Sequence, residues 1–381
     1  MMKTGVRIFL LGLGAGSLLT TLLIIIFSFP AKTETEIKET AEIINVSELE
    51  EHAVSLPKKN LDPYESNNDT QEKDDYLLDG DWKVSKIRED YDWWISEPFD
   101  KDNRLPKLSK KSAFQVTEDI PVLDGATAFY PVYAAFAQAV YPPDGSYSLY
   151  YKENTTVKCS RTENAYKNLL EGTADIIFCL EPSSEQLREF RRNNLDIKLV
   201  PIGREAFVFF VNVKNPVSNL TTRDIQQIYG RRSSTWDMFN GTNEKIIAFQ
   251  RPKNSGSQTI LEKIMGDVPI NKPLKEEIPV SMVDIIQEVA SYRNYENAIG
   301  FSFLFFSNNM AYNKEIKILS INSVKPSVET IKNKKYPYTV DFYAVYIEKK
   351  DKNKNIKPFI EWMLSKQGQE LVSKCGYVPV K

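Results

Sequence analysis

From about residue 116 onward, the chain alternates between short apolar runs and longer amphipathic segments. Runs such as ADIIFC (174–179) and AFVFFVNV (206–213) predict strands that are buried on both faces. The other predicted strands are 120–123, 197–202, 245–250, 298–305 and 339–347. The predicted helices are 131–140, 164–171, 184–193, 221–229, 259–265, 283–292 and 356–373. Strands that alternate with helices in this way predict an α/β fold with mainly parallel sheets.

Residues 8–29 have a different pattern, because they carry no charge over 22 positions. A helix of that length can cross a hydrocarbon core of about 30 Å. Lys3 and Arg7 precede it, so the positive-inside rule predicts that the chain after residue 30 lies on the outer face of the cytoplasmic membrane. A cleaved signal peptide is the alternative, although the sequence around Phe29 is a poor cleavage site. With either interpretation the body of the protein is exported, as an anchored or a released form.

Residues 31–117 separate this apolar segment from the α/β body. Residues 31–100 contain 20 Asp or Glu against 8 Lys or Arg, a net charge of −12, and 31–75 predict a solvated acidic spacer. Residues 82–99 differ, because their aromatic side chains are too much apolar surface to leave in water. These side chains are Trp82, Tyr91, Trp93, Trp94 and Phe99. We expect this arm to pack against the body, with ligand stacking or partner docking as alternatives.

The counts of histidine and cysteine exclude several classes of function. A Ser-His-Asp hydrolase or a multi-histidine zinc site would depend on the one histidine, His52, which lies in the acidic spacer. Cys159 and Cys179 could pair in an oxidising compartment, but buried thiols are the simpler interpretation. Residues 101–381 carry a net charge of +8 without a basic stripe, which does not indicate nucleic-acid binding. The sequence therefore predicts no catalytic centre, metal or other cofactor.

The segment FQRPKNSGSQT (249–259) lies between a predicted strand and a predicted helix and has residue types that bind anions. Ser255, Gly256 and Ser257 fall where the helix begins, so first-turn N–H groups point outward without an intrahelical partner. Glycine lets a ligand approach the backbone closely, the serine hydroxyls add donors, and Arg251 can offer a planar fork to a tetrahedral oxyanion. An ordinary serine-capped helix beside a surface arginine is the alternative.

A second strand-to-helix junction of this kind is DGATAFYP (124–131). Thr127 can offer a hydroxyl and a backbone N–H at the start of the helix. An anion held between two helix amino termini needs neither a metal nor enzyme chemistry. The chain has no G-x-x-x-x-G-K-[ST] segment, so the sequence does not indicate nucleotide hydrolysis.

Four motifs together resemble the phosphate-binding proteins of phosphate ABC importers. They are R-x-x-x-S-G-S at 251–257, GAT followed by PVY at 125–133, NAIGFSF at 297–303, and FIEWMLSKQGQELVSKCGYVPV at 359–380. The resemblance covers residues 118–381 and implies a two-lobed type II periplasmic-binding-protein-like fold, with two crossing hinge strands and the ligand in the cleft. It divides the chain into an anchor or signal peptide (1–30), a spacer and arm (31–117), lobe one (118–205 plus 342–381) and lobe two (206–341).

The resemblance also implies which residues hold the anion. The implied ligand set is Thr127, Ala128, Ser160, Thr162, Glu181, Arg251, Ser255, Gly256 and Ser257. In the family a carboxylate accepts the proton of hydrogen phosphate and repels sulfate, and Glu181, one position from an ungapped match, is the candidate.

The sequence departs from the family in two places. The segment CSRTEN (159–164) lacks the family's glycines, which leaves the choice of hydroxyl from Ser160 to Thr162 open. Lys253 stands where the family often has an acid that braces the arginine. This lysine could strengthen the attraction of anions, or it could select a different oxyanion.

These features predict an exported receptor that closes two lobes on inorganic phosphate or a related oxyanion and delivers it to ABC permease subunits. If residues 8–29 are retained, they attach this receptor to the cytoplasmic membrane. A membrane-anchored surface sensor or binding protein that is not coupled to transport is an alternative on the same fold. A hydrolase that uses Ser255 or Ser257 would lack a local histidine base and would depend on Lys253.

Overall fold

The computed structural model describes the backbone of residues 5–10 and 24–29, and then residues 97–148, 155–230, 235–273, 278–279, 281–291, 296–348 and 353–381. The chain divides into two units, Met1–Lys73 and Asp74–Lys381. The predicted acidic spacer, His52 and the three tryptophans of the arm lie outside the described residues.

In the first unit, strand β1 (Gly5–Leu10) pairs antiparallel with strand β2 (Ile24–Phe29). The structure therefore differs from the predicted helix over 8–29 at both ends of that segment, and residues 11–23 lie outside the described residues. The sequence of β2, IIIFSF, consists largely of β-branched and aromatic residues, which favour strands. Among the helices of the described residues, none has the length and apolar character needed to cross a membrane.

The second unit contains the α/β body that the sequence predicts. Its strands are β3 (Leu123–Gly125), β4 (Tyr147–Ser148), β5 (Val157–Lys158), β6 (Ile176–Cys179), β7 (Ile197–Asn212), β8 (Asn219–Leu220), β9 (Ile247–Ala248), β10 (Ala298–Phe303), β11 (Ile316–Ile318), β12 (Ser320–Ile321), β13 (Thr339–Ile347) and β14 (Val378–Pro379). Its helices are α1 (Tyr130–Val140), α2 (Arg161–Glu171), α3 (Ser184–Arg192), α4 (Thr222–Tyr229), α5 (Gly256–Met265), α6 (Met282–Ser291), α7 (Val328–Lys332), α8 (Ile356–Met363) and α9 (Lys366–Lys374). A 3-10 turn, Thr127–Phe129, leads from β3 into α1.

One long strand, β7, connects two groups of strands. The strand order is β4-β5-β3-β6-β13-β7-β10-β9, with β11 and β14 also paired to β7. The first part of β7 pairs with β13, from Ile197 opposite Ile347 to Ala206 opposite Thr339. From Phe207 onward it pairs with β10 instead. We call the body around β3, β5 and β6 lobe one, and the body around β9 and β10 lobe two.

The prediction of mainly parallel sheets holds for lobe one around β3, β5 and β6, but in lobe two β10 and β11 are both antiparallel to β7. β3 is parallel to β5 and β6, and β9 is parallel to β10. β7 and β13 are antiparallel to each other, and β13 is antiparallel to β6. The reason is that β7 passes from lobe one to lobe two and β13 returns, so the two crossing strands run in opposite directions.

Several predicted elements have different limits in the structure. The predicted strands 197–202 and 206–213 are one continuous strand, β7. The predicted closing helix 356–373 is two helices, because Ser365 caps a new helix and its hydroxyl accepts the Gly368 N–H at 3.4 Å. Helix α5 begins at Gly256, three residues before the predicted start.

The cysteines and the end of the arm take ordinary packing positions. Cys159, Cys179 and Cys375 are buried free thiols, which agrees with the simpler of the two interpretations. The ring of Phe99, the last aromatic residue of the arm, lies against Gly145, where an added Cβ would come within 2.5 Å of the ring. At this described end, the arm packs on lobe one.

Candidate functional site

The loop after β9 holds the backbone of Arg251 in place through two glutamine side chains. The Arg251 N–H donates to Gln258 Oε1 at 2.9 Å, and Gln258 Nε2 donates to Gln250 Oε1 at 3.2 Å. Gln250 in turn donates to the carbonyl of Asn271 at 2.7 Å. Because this chain of hydrogen bonds ties the loop to the first turn of α5, Arg251 and the helix terminus move together.

The guanidinium of Arg251 is buried but not fully paired. Arg251 is 8% exposed, and its Nη1 donates to the carbonyl of Pro279 at 3.2 Å. Its Nε is buried and has no hydrogen-bond partner among the described residues. Burial lowers the pKa of Arg251 to about 10, with Asp284 opposing this effect, so the side chain is charged at neutral pH. A buried cation with an unused donor is stabilised by an anion that accepts from it.

The first turn of α5 lies next in the chain and offers further donors. Ser255 is the helix cap, because its hydroxyl accepts the Gln258 N–H at 3.3 Å. Among the described residues, the N–H groups of Gly256 and Ser257 have no protein acceptor, and the Ser257 hydroxyl makes no hydrogen bond. Ser257 is only 2% exposed. Gly256 and Ser257 therefore present donors at this helix terminus. Ser255 caps the helix through its hydroxyl oxygen, and its O–H has no acceptor among the described residues.

In lobe one, the junction after β3 presents Thr127 and Ala128. The preceding Ala126 N–H donates to the carbonyl of Phe178 at 2.9 Å, which fixes the junction to β6. Thr127 begins the 3-10 turn, and its hydroxyl accepts from the Cys159 thiol at 3.9 Å. The N–H groups of Thr127 and Ala128 have no acceptor among the described residues. This junction thus supplies the donors that the sequence predicts.

The hydroxyl of Ser160, which the sequence predicts as a ligand donor, is hydrogen-bonded to other protein groups. Its hydroxyl donates to Asp124 Oδ2 at 2.5 Å and accepts from Asn168 Nδ2 at 3.2 Å. Its N–H donates to Asp124 Oδ1 at 2.9 Å. Because the carboxylate of Asp124 is fully buried and receives these bonds, Ser160 fixes the loop before α2. The signal that sequence analysis missed is this buried acid at the end of β3.

Thr162 is the residue of this segment that reaches lobe two. It is buried in the first turn of α2, and its Oγ1 lies 3.2 Å from the position that a Cβ on Gly256 would take. Leu180 approaches the same position at 3.3 Å. The first turns of α2 and α5 therefore face each other across the two lobes, with glycine at the point of closest approach.

Glu181 is bound to other protein groups. Its carboxylate accepts from Lys263 of α5 and from the Tyr343 hydroxyl, the latter at 3.1 Å. The hydrogen bond from Lys263 is the main cause that holds the pKa of Glu181 below its ordinary value. Lys253 likewise pairs with a protein acid, Glu185, at 2.7 Å. The side chain of Glu181 is 47% exposed and that of Lys253 71%, so neither belongs to the buried group around Arg251.

Of the predicted set, the structure shows Thr162 and Gly256 facing each other across the two lobes. Donors without a partner among the described residues belong to Thr127 and Ala128 on lobe one and to Arg251, Gly256 and Ser257 on lobe two. The structure also adds residues that sequence analysis missed. The added residues are Gln258, Asp284 and Arg161. Gln258 fixes the loop, and Asp284 stabilises the charge of Arg251 in place of the missing acid at position 253. The charge of Arg161 acts on Arg251 in the opposite direction and lowers its pKa. Asp284 lies on α6, far along the chain, so no local motif could indicate it. Within the described residues there is no group of acids, cysteines or histidine that could hold a metal ion.

Comparisons with known proteins agree with this architecture. A family model described as "PBP superfamily domain" matches residues 117–367. Protein SphX of Synechococcus elongatus is 23% identical over 288 residues, which cover 68% of this chain and 84% of SphX. The phosphate-binding protein PstS of Borreliella burgdorferi is 24% identical over 239 residues, 61% of this chain and 83% of the relative.

Solved structures show the same fold. A putative phosphate ABC transporter substrate-binding protein with bound phosphate from Clostridium perfringens matches with a TM-score of 0.52 and 22% identity, covering 70% of this chain and all of that one. An ABC-type phosphate transport receptor from Vibrio cholerae matches with a TM-score of 0.50 and 17% identity, over 69% of this chain and 99% of that one. The resemblance that the sequence motifs indicate is confirmed, and the chain belongs to the PBP superfamily, in which its relatives include phosphate-binding proteins.

Proposed function

We propose that this protein is an extracytoplasmic receptor that captures inorganic phosphate between its two lobes and delivers it to an ABC importer. The single observation that carries the proposal is the buried guanidinium of Arg251, with an unpaired Nε, beside the unpaired N–H groups of Gly256 and Ser257. A tetrahedral oxyanion has enough acceptors to satisfy all of these donors at once. The names of the PstS relatives support phosphate as that anion.

The proposed mechanism is closure of the lobes on the anion. Arg251, Gly256 and Ser257 would hold the anion from lobe two, and Thr127, Ala128 and Thr162 would hold it from lobe one. Because the ligand contacts both lobes only in the closed arrangement, it shifts the population toward that arrangement. The donors form no covalent bond with phosphate, so the proposal contains no enzymatic step.

We further propose the boundaries of the lobes and the place where the protein works. Lobe one would comprise 118–205 with 342–381, and lobe two 206–341, supported by the change of partner of β7 after Ala206. The ABC permease subunits would be its partners at the outer face of the cytoplasmic membrane. Residues 8–29 would anchor the protein there or be removed as a signal peptide, which mass spectrometry of the protein from its host would decide.

Calorimetric titration of the purified exported body with phosphate and with sulfate tests the proposal. We expect Arg251→Ala to bind phosphate at least tenfold more weakly, because a hydrogen bond to a charged group contributes about 1.5–3 kcal/mol. Arg223→Ala is the matched control, since Arg223 is an exposed arginine on α4 of the same lobe. A wild-type protein that binds no phosphate below millimolar concentration would contradict the proposal. Tighter binding of sulfate than of phosphate would indicate sulfate as the ligand.

Delivery to a permease needs a separate test in cells. Deletion of the protein should lower phosphate uptake at low external phosphate, and Arg251→Ala should not restore it. Normal uptake in the deletion strain would favour the alternative function, a surface sensor or binding protein that is not coupled to transport.

A further inference from the structure

A second arginine, Arg161, stands at the same cleft on lobe one. It is the first residue of α2, is exposed, and directly precedes Thr162, the residue that faces Gly256 of lobe two. Its backbone φ is +72°, in the left-handed region that disfavours any residue with a Cβ. Side chains kept in such conformations cluster at ligand sites, where the surrounding structure fixes them.

The backbone on both sides of Arg161 is fixed by its neighbours. Ser160 is held by two hydrogen bonds to the buried carboxylate of Asp124, at 2.9 and 2.5 Å. Thr162 is buried against the first turn of α5. The guanidinium of Arg161 is therefore attached to a rigid position at the edge where lobe one meets lobe two.

No acid among the described residues neutralises Arg161. The two acids at the start of the α3 segment are already paired, Glu181 with Lys263 and Glu185 with Lys253. Arg161 lies near enough to Arg251 that its charge contributes to the lowered pKa of that residue, after burial. Two cations from different lobes thus approach each other, which is unfavourable unless an anion lies between them.

We infer that Arg161 is a second cationic ligand of the site, and that the site is built for a doubly charged tetrahedral oxyanion. The inference rests on the proposed function and specifies its ligand. One guanidinium from each lobe would balance the two negative charges, in addition to the N–H groups of Gly256 and Ser257. The carboxylate of Glu181 is occupied by Lys263 and Tyr343, so the site offers mainly donors, which match the ionised oxygens of a doubly charged anion.

Replacement of Arg161 by glycine separates ligand binding from folding. Glycine adopts a φ of +72° without strain, so Arg161→Gly should melt at a higher temperature than the wild type and yet bind phosphate roughly tenfold more weakly. Lys167→Ala is the control on the same helix, because Lys167 is exposed and pairs with Glu171. It should leave phosphate affinity unchanged. If Arg161→Gly binds phosphate as tightly as the wild type, the inference is wrong.

Competition with perchlorate tests the charge of the preferred ligand, because perchlorate is tetrahedral but carries one charge. At a pH where phosphate is mostly doubly ionised, the wild type should prefer phosphate by more than tenfold, and Arg161→Gly should narrow this preference. If perchlorate competes with phosphate equally well for the wild-type protein, the inferred selectivity for a doubly charged anion is wrong. A wild type that binds no phosphate at all would overturn the proposed function and this inference with it, whereas unchanged binding by Arg161→Gly overturns this inference alone.

Discussion

Two regions of the α/β body connect lobe one to lobe two, and they differ in burial and in chemistry. The first, which we call the hinge cluster, is buried and mostly aromatic, and it comprises Phe129, Glu205, Phe303, Phe305, Phe342 and Tyr377. The second, which we call the rim pairs, is polar and mostly exposed, and it comprises Glu181–Lys263, Glu185–Lys253 and Ser183–Asn254. The contrast indicates which contacts persist when the lobes move and which are made only on closure.

The aromatic rings of the hinge cluster come from both lobes. The Phe129 ring stacks on Phe342 at a centroid distance of 4.6 Å and lies 6.0 Å from Phe303 of lobe two. Phe305 of lobe two contacts Tyr377 at 4.6 Å. The Tyr377 hydroxyl donates to the carbonyl of Ala128, so the cluster is also linked to the first anion-binding junction. Burial of such rings stabilises contacts strongly and without strict directionality, which suits a joint that bends without separating.

Glu205 is the charged exception in the hinge cluster. It is 3% exposed, and its two carboxyl oxygens accept the N–H groups of Ala206 at 2.7 Å and Phe305 at 3.2 Å. Burial raises the pKa of Glu205 to about 8, and the two hydrogen bonds oppose that effect. The hinge therefore contains a carboxyl group that is largely protonated at neutral pH.

The rim pairs have the opposite character. The side chains of Lys253, Glu185, Lys263 and Glu181 are between 42% and 71% exposed. Exposed ion pairs contribute little to stability and are screened by salt. Because each pair joins one lobe to the other, we expect them to bias the closed arrangement weakly and to break easily when the lobes part.

The largest expected effect comes from a substitution beside the hinge cluster, Gly376→Ala, because Gly376 lies against the ring of Phe305. Gly376 has a φ of +88°, and an added Cβ would overlap the ring of Phe305. The left-handed backbone and the overlap together should lower the free energy of unfolding by about 3 kcal/mol. Denaturant unfolding monitored by tryptophan fluorescence measures this loss.

Gly266→Ala is the matched control for that measurement. Gly266 also has a positive φ, +54°, but an added Cβ there meets nothing within 4 Å. Gly266→Ala should therefore show only the free-energy cost of placing alanine at a positive φ. Its loss of unfolding free energy should be clearly smaller than that of Gly376→Ala. If the two variants lose the same amount, the packing of Phe305 against residue 376 contributes nothing to the hinge.

A smaller effect, which depends on pH, is expected for Glu205→Gln. The pKa of Glu205 is raised on folding from about 4.5 to about 8, so the folded state binds the proton more tightly than the unfolded state does. Its contribution is therefore fully present below the unfolded pKa and is lost as the pH rises through 8. Between pH 6 and pH 8 the wild type should lose about 2 kcal/mol of unfolding free energy relative to Glu205→Gln.

The comparison of the two proteins across pH isolates this group, since all other titratable residues are common to both. Urea unfolding at intervals of half a pH unit gives the two curves. Parallel curves from pH 6 to pH 8 would mean that Glu205 is ionised throughout this range and that its burial does not protonate it. A wild-type curve that falls relative to the Glu205→Gln curve between pH 6 and pH 8 would support the protonated hinge.

The sequence predicts many of the secondary-structure elements that form these two regions, but it does not predict the side-chain pairs between those elements. The crossing strands and the loop from Arg251 to Ser257 could be located, because apolar runs and a helix-start motif are local signals. The pairing of Glu181 with Lys263, and of Glu185 with Lys253, joins residues about 70 to 80 positions apart. Such pairs depend on how the lobes meet, which no local pattern records.

The same limit applies to Ser160. A hydroxyl at a helix start predicts a ligand donor both there and at Ser257. In the structure the Ser160 hydroxyl donates to Asp124 of β3, 36 residues earlier in the chain. Whether a polar residue serves a ligand or the protein is decided by its buried partners. Arg161 was missed for a related reason, since its left-handed backbone is a property of the folded loop.

The smallest effect is expected from the rim pairs, and it should appear in binding and not in stability. The double variant Lys253→Gln/Lys263→Gln removes the cation of each ion pair among the rim pairs. We expect phosphate affinity to fall roughly threefold, mainly through faster release, because the closed arrangement loses two weak contacts. Stopped-flow measurement of phosphate release, at low and at high salt, detects this change.

The matched control is Lys198→Gln/Lys354→Gln, which removes exposed ion pairs inside lobe one. Lys198 pairs with Glu348 at 2.9 Å, and Lys354 pairs with Glu118 at 2.8 Å and with Asp119 at 3.4 Å. These pairs do not cross the cleft, so the control should release phosphate at the wild-type rate. The difference between the two double variants should also shrink at high salt, since salt already screens the rim pairs. Equal release rates for the two variants at low salt would show that the rim pairs do not distinguish the closed arrangement, and that closure depends on the ligand and the hinge cluster alone.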